Sequence, residues 1–151
     1  MSTKDILFAK PEDIPQIVAF GYKSFEENTL PGSTSFDKAL NQITKLVLHD
    51  VVLVKRDKDN PKLINGVLAM EAQAPWFSED PLLTIGLFYI KPELRSFKLA
   101  RELLSSAQEY AIINNLPIVF DLFAQKDVDK KKKLLKYLGF KECGSFFTFN
   151  T

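Results

Sequence analysis

The chain has 151 residues, 46% hydrophobic and 26% charged, which is long enough to bury the core of one domain. Its 20 basic and 19 acidic side chains leave a net charge of +1, which argues against a global field that attracts nucleic acid or a membrane surface. The single cysteine, Cys143, excludes an internal disulfide and a zinc-type cysteine cluster. With no leader and no long apolar segment, we expect one cytoplasmic domain over residues 1–151, with no nucleic-acid or membrane partner.

Hydrophobic periodicity predicts a strand and two helices at the start of the chain. Ile6 to Ala9 is a short apolar run, as in a strand. Residues 14–25 and 36–47 place apolar side chains three or four positions apart, as amphipathic helices do, and Ser35 caps the second helix. The polar loop from Asn28 to Thr34 suits the mouth of a substrate pocket, although most loops of this composition are only connectors.

The middle of the chain predicts a β-hairpin and a third strand. The hairpin strands are Val51 to Val54 and Leu63 to Ala72, joined by a charged turn. Leu82 to Ile90 is apolar and short enough for a buried strand. The loop before it contains Trp76 and Phe77, which either seal a sheet edge or form part of a pocket wall.

The last third of the chain predicts alternating helix and strand. Apolar residues recur at helical spacing from Leu99 to Tyr110, and Ile118 to Ala124 is a further strand. A lysine-rich helix over Asp127 to Leu138 ends at Gly139, and Lys141 to Asn150 forms a closing strand. The element order βααβββαβαβ predicts an α/β (mixed α+β) fold, in which a central mixed sheet carries helices on both faces.

The segment from Phe88 to Ala100 is a predicted anion site. An apolar strand runs there through a Pro-Glu turn directly into an amphipathic helix. A helix that begins in this way presents free backbone N–H groups, and the positive end of its dipole, beyond the end of the strand. A phosphate group would bind at this junction.

Two motifs, together with the order of elements, resemble the GCN5-related N-acetyltransferase (GNAT) superfamily over nearly the whole chain. Ile90-Lys-Pro-Glu-Leu-Arg95 and Ala100 match the family's strand end and its motif (Arg/Gln)-x-x-Gly-x-(Gly/Ala), with Lys98 where glycine is usual. Leu138-Gly-Phe140 matches the signature that closes the family's last helix. The resemblance implies a GNAT-type fold, and the eroded motif glycines suggest a phage-encoded member.

The resemblance implies acetyl coenzyme A as the acyl donor. Backbone N–H groups would surround its pyrophosphate, and main-chain groups of the preceding strand would hold pantetheine as another strand would. The expected pyrophosphate contacts are Arg95, Ser96, Phe97, Lys98, Leu99 and Ala100, and the expected pantetheine contacts are Phe88 and Ile90. A lysine at position 98 adds bulk where glycine lets phosphate approach, but its ammonium can meet the same phosphate. Loss of cofactor binding is the alternative.

The reaction that the family implies is direct transfer of the acetyl group to a primary amine of an unknown small-molecule or protein acceptor. The family commonly supplies the acid from a tyrosine four residues before the final glycine, where this chain has Leu135. Tyr137 points to nearly the opposite helix face, so we interpret it as a packing residue. Of the carboxylates near the strand opening, Glu71, Glu79 and Asp80, Glu71 is the candidate base; a solvated surface carboxylate is the alternative.

Three further features have structural interpretations. The run Lys130 to Lys133 spreads round a helix and is mostly solvated, although one or two members can reach the adenosine 3′-phosphate of the cofactor. His49 complements the dipole at the end of a helix. Cys143 is expected in the core and not as a nucleophile.

The rival hypothesis is a catalytically idle GNAT-like protein that binds a cofactor or a protein partner, for example as a phage accessory protein. Leu135 and Lys98, which depart from the family pattern, favour it. Under either hypothesis the chain carries no metal site, and a homodimer is a possible assembly.

Overall fold

The computed structural model describes residues 5–28, 32–121, 127–144 and 147. Within these ranges the strands are β1 (Ile6–Phe8), β2 (Val51–Arg56), β3 (Ile64–Gln73), β4 (Leu82–Ile90) and β5 (Ile118–Phe120). The helices are α1 (Ile14–Asn28), α2 (Phe36–His49), α3 (Phe97–Asn114) and α4 (Val128–Tyr137). Short 3-10 turns at Pro11–Asp13 and Pro92–Leu94 precede α1 and α3. These bounds confirm the predicted elements up to β5, and the predicted α4.

The five strands form one sheet in the order in which they occur along the chain. The first four strands are antiparallel to their neighbours, and β5 runs parallel to β4. The parallel pair is possible because α3 crosses between the two strands and brings the chain back to the same edge. The predicted mixed sheet is therefore confirmed.

The sheet is buried on both faces. Along β2, Val52 and Val54 belong to the core beneath α1 and α2, whereas Val51 and Leu53 belong to the core beneath α3 and α4. This alternation explains why the strand is a continuous apolar run: neither of its faces meets water. Helices on both faces were predicted and are confirmed.

Strand β4 contains a bulge at Gly86. Leu87 pairs with Ala69 and Ile85 pairs with Met70, so one extra residue stands in β4 at this point. Because of the extra residue, side chains two positions apart point to opposite faces of the sheet. Ile85 packs beneath α3 and α4, whereas Leu87 packs beneath α1 and α2. Without the bulge these two residues, two positions apart, would share a face.

The helix-end signals predicted at Ser35 and Gly139 are present, and the structure adds a cap at Ser96 that was not predicted. The Leu99 N–H donates to Ser96 Oγ at 3.1 Å and the Lys38 N–H donates to Ser35 Oγ at 3.4 Å, so both serines are N-caps. At the end of α4, the Gly139 N–H donates to the Lys136 carbonyl at 3.0 Å. Gly139 has a φ of 91°, the left-handed conformation that stops a helix.

Three expectations about the end of the chain change. Strand β5 ends at Phe120, so Asp121 lies outside it, and residues 122–124 of the predicted strand lie outside the described residues. Of the predicted closing strand, residues 141–144 and 147 are not in a strand, and the remainder lies outside the described residues. The prediction of a core Cys143 was wrong, because residue 143 follows the helix stop without joining the sheet and its side chain is exposed.

Among the described residues, no helix has the length and apolarity to cross a bilayer. The same residues contain no group of three or more His, Cys, Asp or Glu side chains placed to hold a metal ion.

Candidate active site

A cavity of about 380 Å³ opens at the edge of the sheet where β4 and β5 part. In the described residues, pairing between the two strands ends at Ile85 with Phe120, whereas β4 continues to Ile90 paired only with β3 on its other side. The cavity wall comes from α1, α2, β3, β4, β5 and α4. Its polar side chains are Ser24, Asn28, Gln42, Glu71, Asp121 and Lys131.

The bulge residue Gly86 is part of the cavity wall. A Cβ placed on it would meet no atom within 4 Å, so the space beside it is open. A glycine inside an apolar strand is the sequence signal for a bulge or for close approach of a ligand to the backbone. The prediction of a plain strand from Leu82 to Ile90 missed this bulge.

The main-chain groups of Phe88 and Ile90 point toward the open edge of β4. The Lys91 N–H donates to the Asn65 carbonyl at 3.0 Å, and bonded pairs alternate along an antiparallel ladder. Tyr89 is therefore bonded to β3, whereas its two neighbours direct their N–H and C=O groups away from β3. The Ile90 carbonyl accepts Arg95 Nε–H at 2.9 Å on that outer side. The Phe88 ring lies edge-on to Phe120, with 5.8 Å between their centroids.

At the N-terminus of α3, several backbone N–H groups are available as hydrogen-bond donors. The Leu99 N–H is taken by the Ser96 hydroxyl and the Ala100 N–H by the Ser96 carbonyl, each at 3.1 Å. In the described part of the chain, the N–H groups of Ser96, Phe97 and Lys98 donate no hydrogen bond. These three amides can bind an anion together with the helix dipole.

Two positive side chains flank these amides. Lys98 has a side chain that is 79% exposed, with its Nζ 4.0 Å from Glu102. The Arg101 guanidinium lies over the Phe97 ring, 5.9 Å from its centroid. Phe97 in turn packs edge-on against Tyr137. The first two turns of α3 thus carry two cationic side chains, one of which lies near the Glu102 carboxylate.

Arg95 is bound within the protein. Its Nη2 lies 2.8 Å from both carboxylate oxygens of Glu27, and its guanidinium carbon lies 5.2 Å from the centroid of the Tyr89 ring. With its Nε on the Ile90 carbonyl, the side chain connects the last turn of α1 to the end of β4. Its guanidinium is directed at these protein groups.

Glu71 lies in the cavity wall near the end of β3 and forms an ion pair with Lys45 of α2. This hydrogen bond raises the pKa of Lys45 above its ordinary value. The candidate base and a paired ammonium thus stand together on the α2 side of the cavity. The other two carboxylates considered, Glu79 and Asp80, do not line this cavity.

Two charged residues in the cavity wall, Asp121 and Lys131, were missed. Asp121 follows the last residue of β5, and the predicted strand ran past it. Lys131 belongs to the run of four lysines, but it lies three residues before Leu134, the buried residue of the same helix. Residues three or four apart share a helix face, and this spacing was the signal that could have found Lys131.

The expected acid position and the aromatic loop lie away from the cavity. Leu135 packs into the core beneath α4, and Tyr137 is 66% exposed against Phe97. Trp76 is 96% exposed and Phe77 is 73% exposed, and neither lines the cavity. The structure therefore does not place these two aromatic residues in the wall of this cavity; Phe77 borders a separate cleft with Leu82, Leu116 and Pro117. Of the Asn28 to Thr34 loop, Asn28 lines the cavity and residues 29–31 lie outside the described residues.

Solved acetyltransferases share this architecture. A probable acetyltransferase superposes with a TM-score of 0.75 at 15% identity, over 97% of this chain and 95% of its own. A predicted acetyltransferase from Clostridium acetobutylicum, solved with acetyl-CoA, gives 0.75 at 13% identity, over 96% and 94%. AAC(6')-Iy, solved with the bisubstrate analogue CoA-S-monomethyl-acetylneamine, gives 0.70 at 13% identity, over 97% of both chains.

No protein-family model matches the sequence, and no curated protein matches it in a sequence search. The similarity is therefore one of three-dimensional structure, at identities that establish the fold alone. The α+β architecture, with a five-stranded mixed sheet and helices on both faces, is the GNAT-type fold of these acetyltransferases.

Proposed function

We propose that the protein is an N-acyltransferase that transfers an acetyl group from acetyl coenzyme A directly to a primary amine. The observation that carries the proposal is the cavity at the parting of β4 and β5, which continues from the bulge at Gly86 to the α1–α2 side. One side of the cavity, along β4, would take the acyl donor. The other side, beneath α1 and α2, would take the acceptor amine. The fold's presence in structures solved with acetyl-CoA and with a CoA bisubstrate analogue supports the assignment.

The residues of the junction fit a long anionic cofactor. The unpaired amides of Ser96, Phe97 and Lys98 would hold the pyrophosphate, with the Lys98 ammonium beside it. The outward main-chain groups of Phe88 and the Ile90 N–H would hold pantetheine as a strand edge holds another strand. The backbone N–H groups expected as contacts at Arg95, Leu99 and Ala100 would have a supporting role, because each already donates a hydrogen bond inside the protein, to the Pro92 carbonyl, the Ser96 hydroxyl and the Ser96 carbonyl.

When bound, acetyl coenzyme A would supply the thioester carbonyl that the amine attacks. Glu71 would take the proton that the amine loses, directly or through a water molecule. Asp121, the other carboxylate in the wall, would attract a cationic acceptor amine into the cavity. The open backbone at Gly86 would let the acyl group approach the sheet without a side chain in the way.

Thermal unfolding tests cofactor binding. Acetyl coenzyme A at 100 times its Kd should stabilise the fold by about 2.7 kcal/mol, a rise in Tm of several degrees for a chain of this size. Lys98→Glu should abolish the rise, because it places a carboxylate at the anion site. Lys133→Glu makes the same charge change at an exposed lysine of α4 and should leave the rise intact. No shift in the unmodified protein at saturating cofactor would refute the proposal.

The catalytically idle binder is the second candidate, and Leu135 favours it because an apolar side chain packs where the family's acid would stand. Release of free thiol from acetyl coenzyme A, measured against a panel of primary amines, separates the two. Turnover above the buffer rate supports the enzyme. Cofactor-induced stabilisation without turnover supports the idle binder.

The identity of the acceptor, a homodimeric assembly and a cytoplasmic location stay predictions. Light scattering of the purified protein tests the assembly. The suggestion of a phage-encoded protein gains no support from the similar structures.

A further inference from the structure

Lys131 differs from the other lysines of α4 in where its side chain lies. Lys132 and Lys136 bind Glu142, and Lys130 lies 4.0 Å from Asp127, all at the surface. Lys131 is partly buried and lines the cavity together with Gly86, Phe88 and Phe120. Among the described residues, no carboxylate lies within 4.0 Å of its ammonium and no hydrogen bond occupies it.

The charges around Lys131 come from several elements. Arg95 at the β4–α3 junction, Glu27 on α1 and Asp127 before α4 act on it electrostatically, and Asp121 of the β5 end shares its cavity. Burial lowers the pKa of Lys131 below its ordinary value, Arg95 lowers it further, and Glu27 and Asp127 oppose these effects. Among the described residues of the cavity wall, the remaining charged group is Glu71, which is already paired with Lys45 on the α2 side.

We propose that Lys131 protonates the sulfur that leaves the acyl donor, in place of the acid that Leu135 cannot supply. The proposal rests on the proposed acetyl transfer. In that step the amine nitrogen forms a bond to the carbonyl carbon, the carbon–sulfur bond breaks, and its electron pair goes to sulfur. Lys131 Nζ gives a proton to the sulfur while Glu71 takes one from the amine. The products are an amide and a thiol, and proton exchange with solvent restores both side chains.

The geometry and the acidity of Lys131 both suit this role. It stands on the α4 side of the cavity, beside Phe88 of the proposed pantetheine strand, whereas Glu71 stands on the α2 side. The proposed proton donor, Lys131, and the proposed proton acceptor, Glu71, thus lie on different walls of the cavity. A thiol has an ordinary pKa of about 8.5 and a lysine of about 10.4, so a lysine with a lowered pKa is the better matched acid.

Binding of cofactor analogues tests the proposal without turnover. Calorimetry should show that Lys131→Met weakens the binding of coenzyme A at a pH where its thiol ionises, but leaves the binding of desulfo-coenzyme A, which lacks the sulfur, unchanged. Lys133→Met removes an exposed lysine of the same helix and should change neither. Equal weakening for both analogues would mean that Lys131 meets another part of the cofactor and would overturn the proposal.

Kinetics supply the second test. Lys131→Met should lower kcat by about 100-fold or more, because a general acid usually accelerates the reaction by this factor. Lys131→Arg keeps the charge but cannot give up a proton at accessible pH, so it should be as slow. An arginine variant as fast as the unmodified protein would show that the charge alone matters. Failure of the unmodified protein to bind either analogue would instead refute the proposed function itself.

Discussion

The Glu27 carboxylate holds Arg95 through both of its oxygens, each 2.8 Å from the same guanidinium nitrogen. The two residues are 68 positions apart, and their contact ties the end of α1, on the proposed acceptor side, to the segment that begins the proposed cofactor site. The pair joins two elements that share no strand pairing. It therefore fixes how the acceptor side of the cavity sits against the donor side.

Removing this pair should cost little stability. The side chains of Arg95 and Glu27 are 44% and 33% exposed, so solvent screens their attraction and Glu27→Gln should cost no more than about 1 kcal/mol of unfolding free energy. The loss should shrink at high salt. Urea unfolding at two salt concentrations measures it, and Glu26→Gln at the exposed neighbour is the control. A loss that high salt leaves unchanged would contradict an ion-pair origin.

The ion pair between Asp13 and Arg56 should cost much more to break. Nη2 of Arg56 lies 2.7 Å from the Asp13 carboxylate, whose side chain is 5% exposed. Asp13→Asn leaves the largely buried guanidinium without its counter-charge and should cost about 3 kcal/mol. Urea unfolding at neutral pH checks this value. Glu12→Gln, at an exposed neighbour, should cost far less.

The same pair predicts a pH dependence. Burial alone would raise the pKa of Asp13, but hydrogen bonds from Arg56 and from the Lys10 N–H outweigh it and leave the pKa below its ordinary value. The stabilisation is thus fully present above the ordinary carboxyl pKa of about 4 and is lost as the pH falls through the lower folded value. The stability difference between the unmodified protein and Asp13→Asn should narrow on acidification. A constant difference down to pH 2 would contradict this account.

Gly139 should resist substitution for conformational reasons alone. Its φ of 91° suits glycine, yet an added Cβ would meet no atom within 4 Å. Gly139→Ala should therefore cost about 1 kcal/mol, through backbone strain and without a clash. Gly144→Ala is the matched control, since that glycine also has open space and lacks a positive φ. Equal effects of the two changes on urea unfolding would show that the helix stop is not what needs glycine.

Glu71→Gln tests the proposed base. It removes the proton acceptor but keeps the shape of the side chain, so kcat should fall by about 100-fold or more while the Tm rise caused by acetyl coenzyme A persists. Glu79→Gln, at an exposed carboxylate outside the cavity, should leave both unchanged. Full activity of Glu71→Gln would transfer the role to Asp121, the other carboxylate of the wall.

Local patterns sufficed to predict most of the fold. Helix ends depend on a few adjacent residues, so the cap at Ser35 and the stop at Gly139 could be predicted from the sequence. Amphipathic spacing likewise placed α1 and α2. The GNAT resemblance then supplied the outline of the proposed cofactor site, and the structure adds the direction of the Phe88 and Ile90 main chain.

The rest of the site depends on contacts between distant residues. The spacing from Lys131 to Leu134 indicates that this lysine lies on the inner face of its helix, but the cavity that it lines is formed by residues distant in the sequence, such as Gly86 and Phe120. The Arg95 guanidinium binds the Glu27 carboxylate, and these two residues are 68 positions apart in the sequence. β4 is apolar on both faces, so its sequence has no period from which a change of phase at Gly86 could be detected.

The bulge at Gly86 separates the packing of β4 from the shape of the cavity wall. Ile85 and Leu87 pair with adjacent residues of β3, so a strand without residue 86 keeps an unbroken register and alternates its faces regularly. Deleting Gly86 should therefore leave Leu87 and Tyr89 in their core and the main chain of Phe88 and Ile90 directed outward. What the deletion removes is the open backbone in the cavity wall. At this position the chain should lose the proposed acyl transfer before it loses its fold.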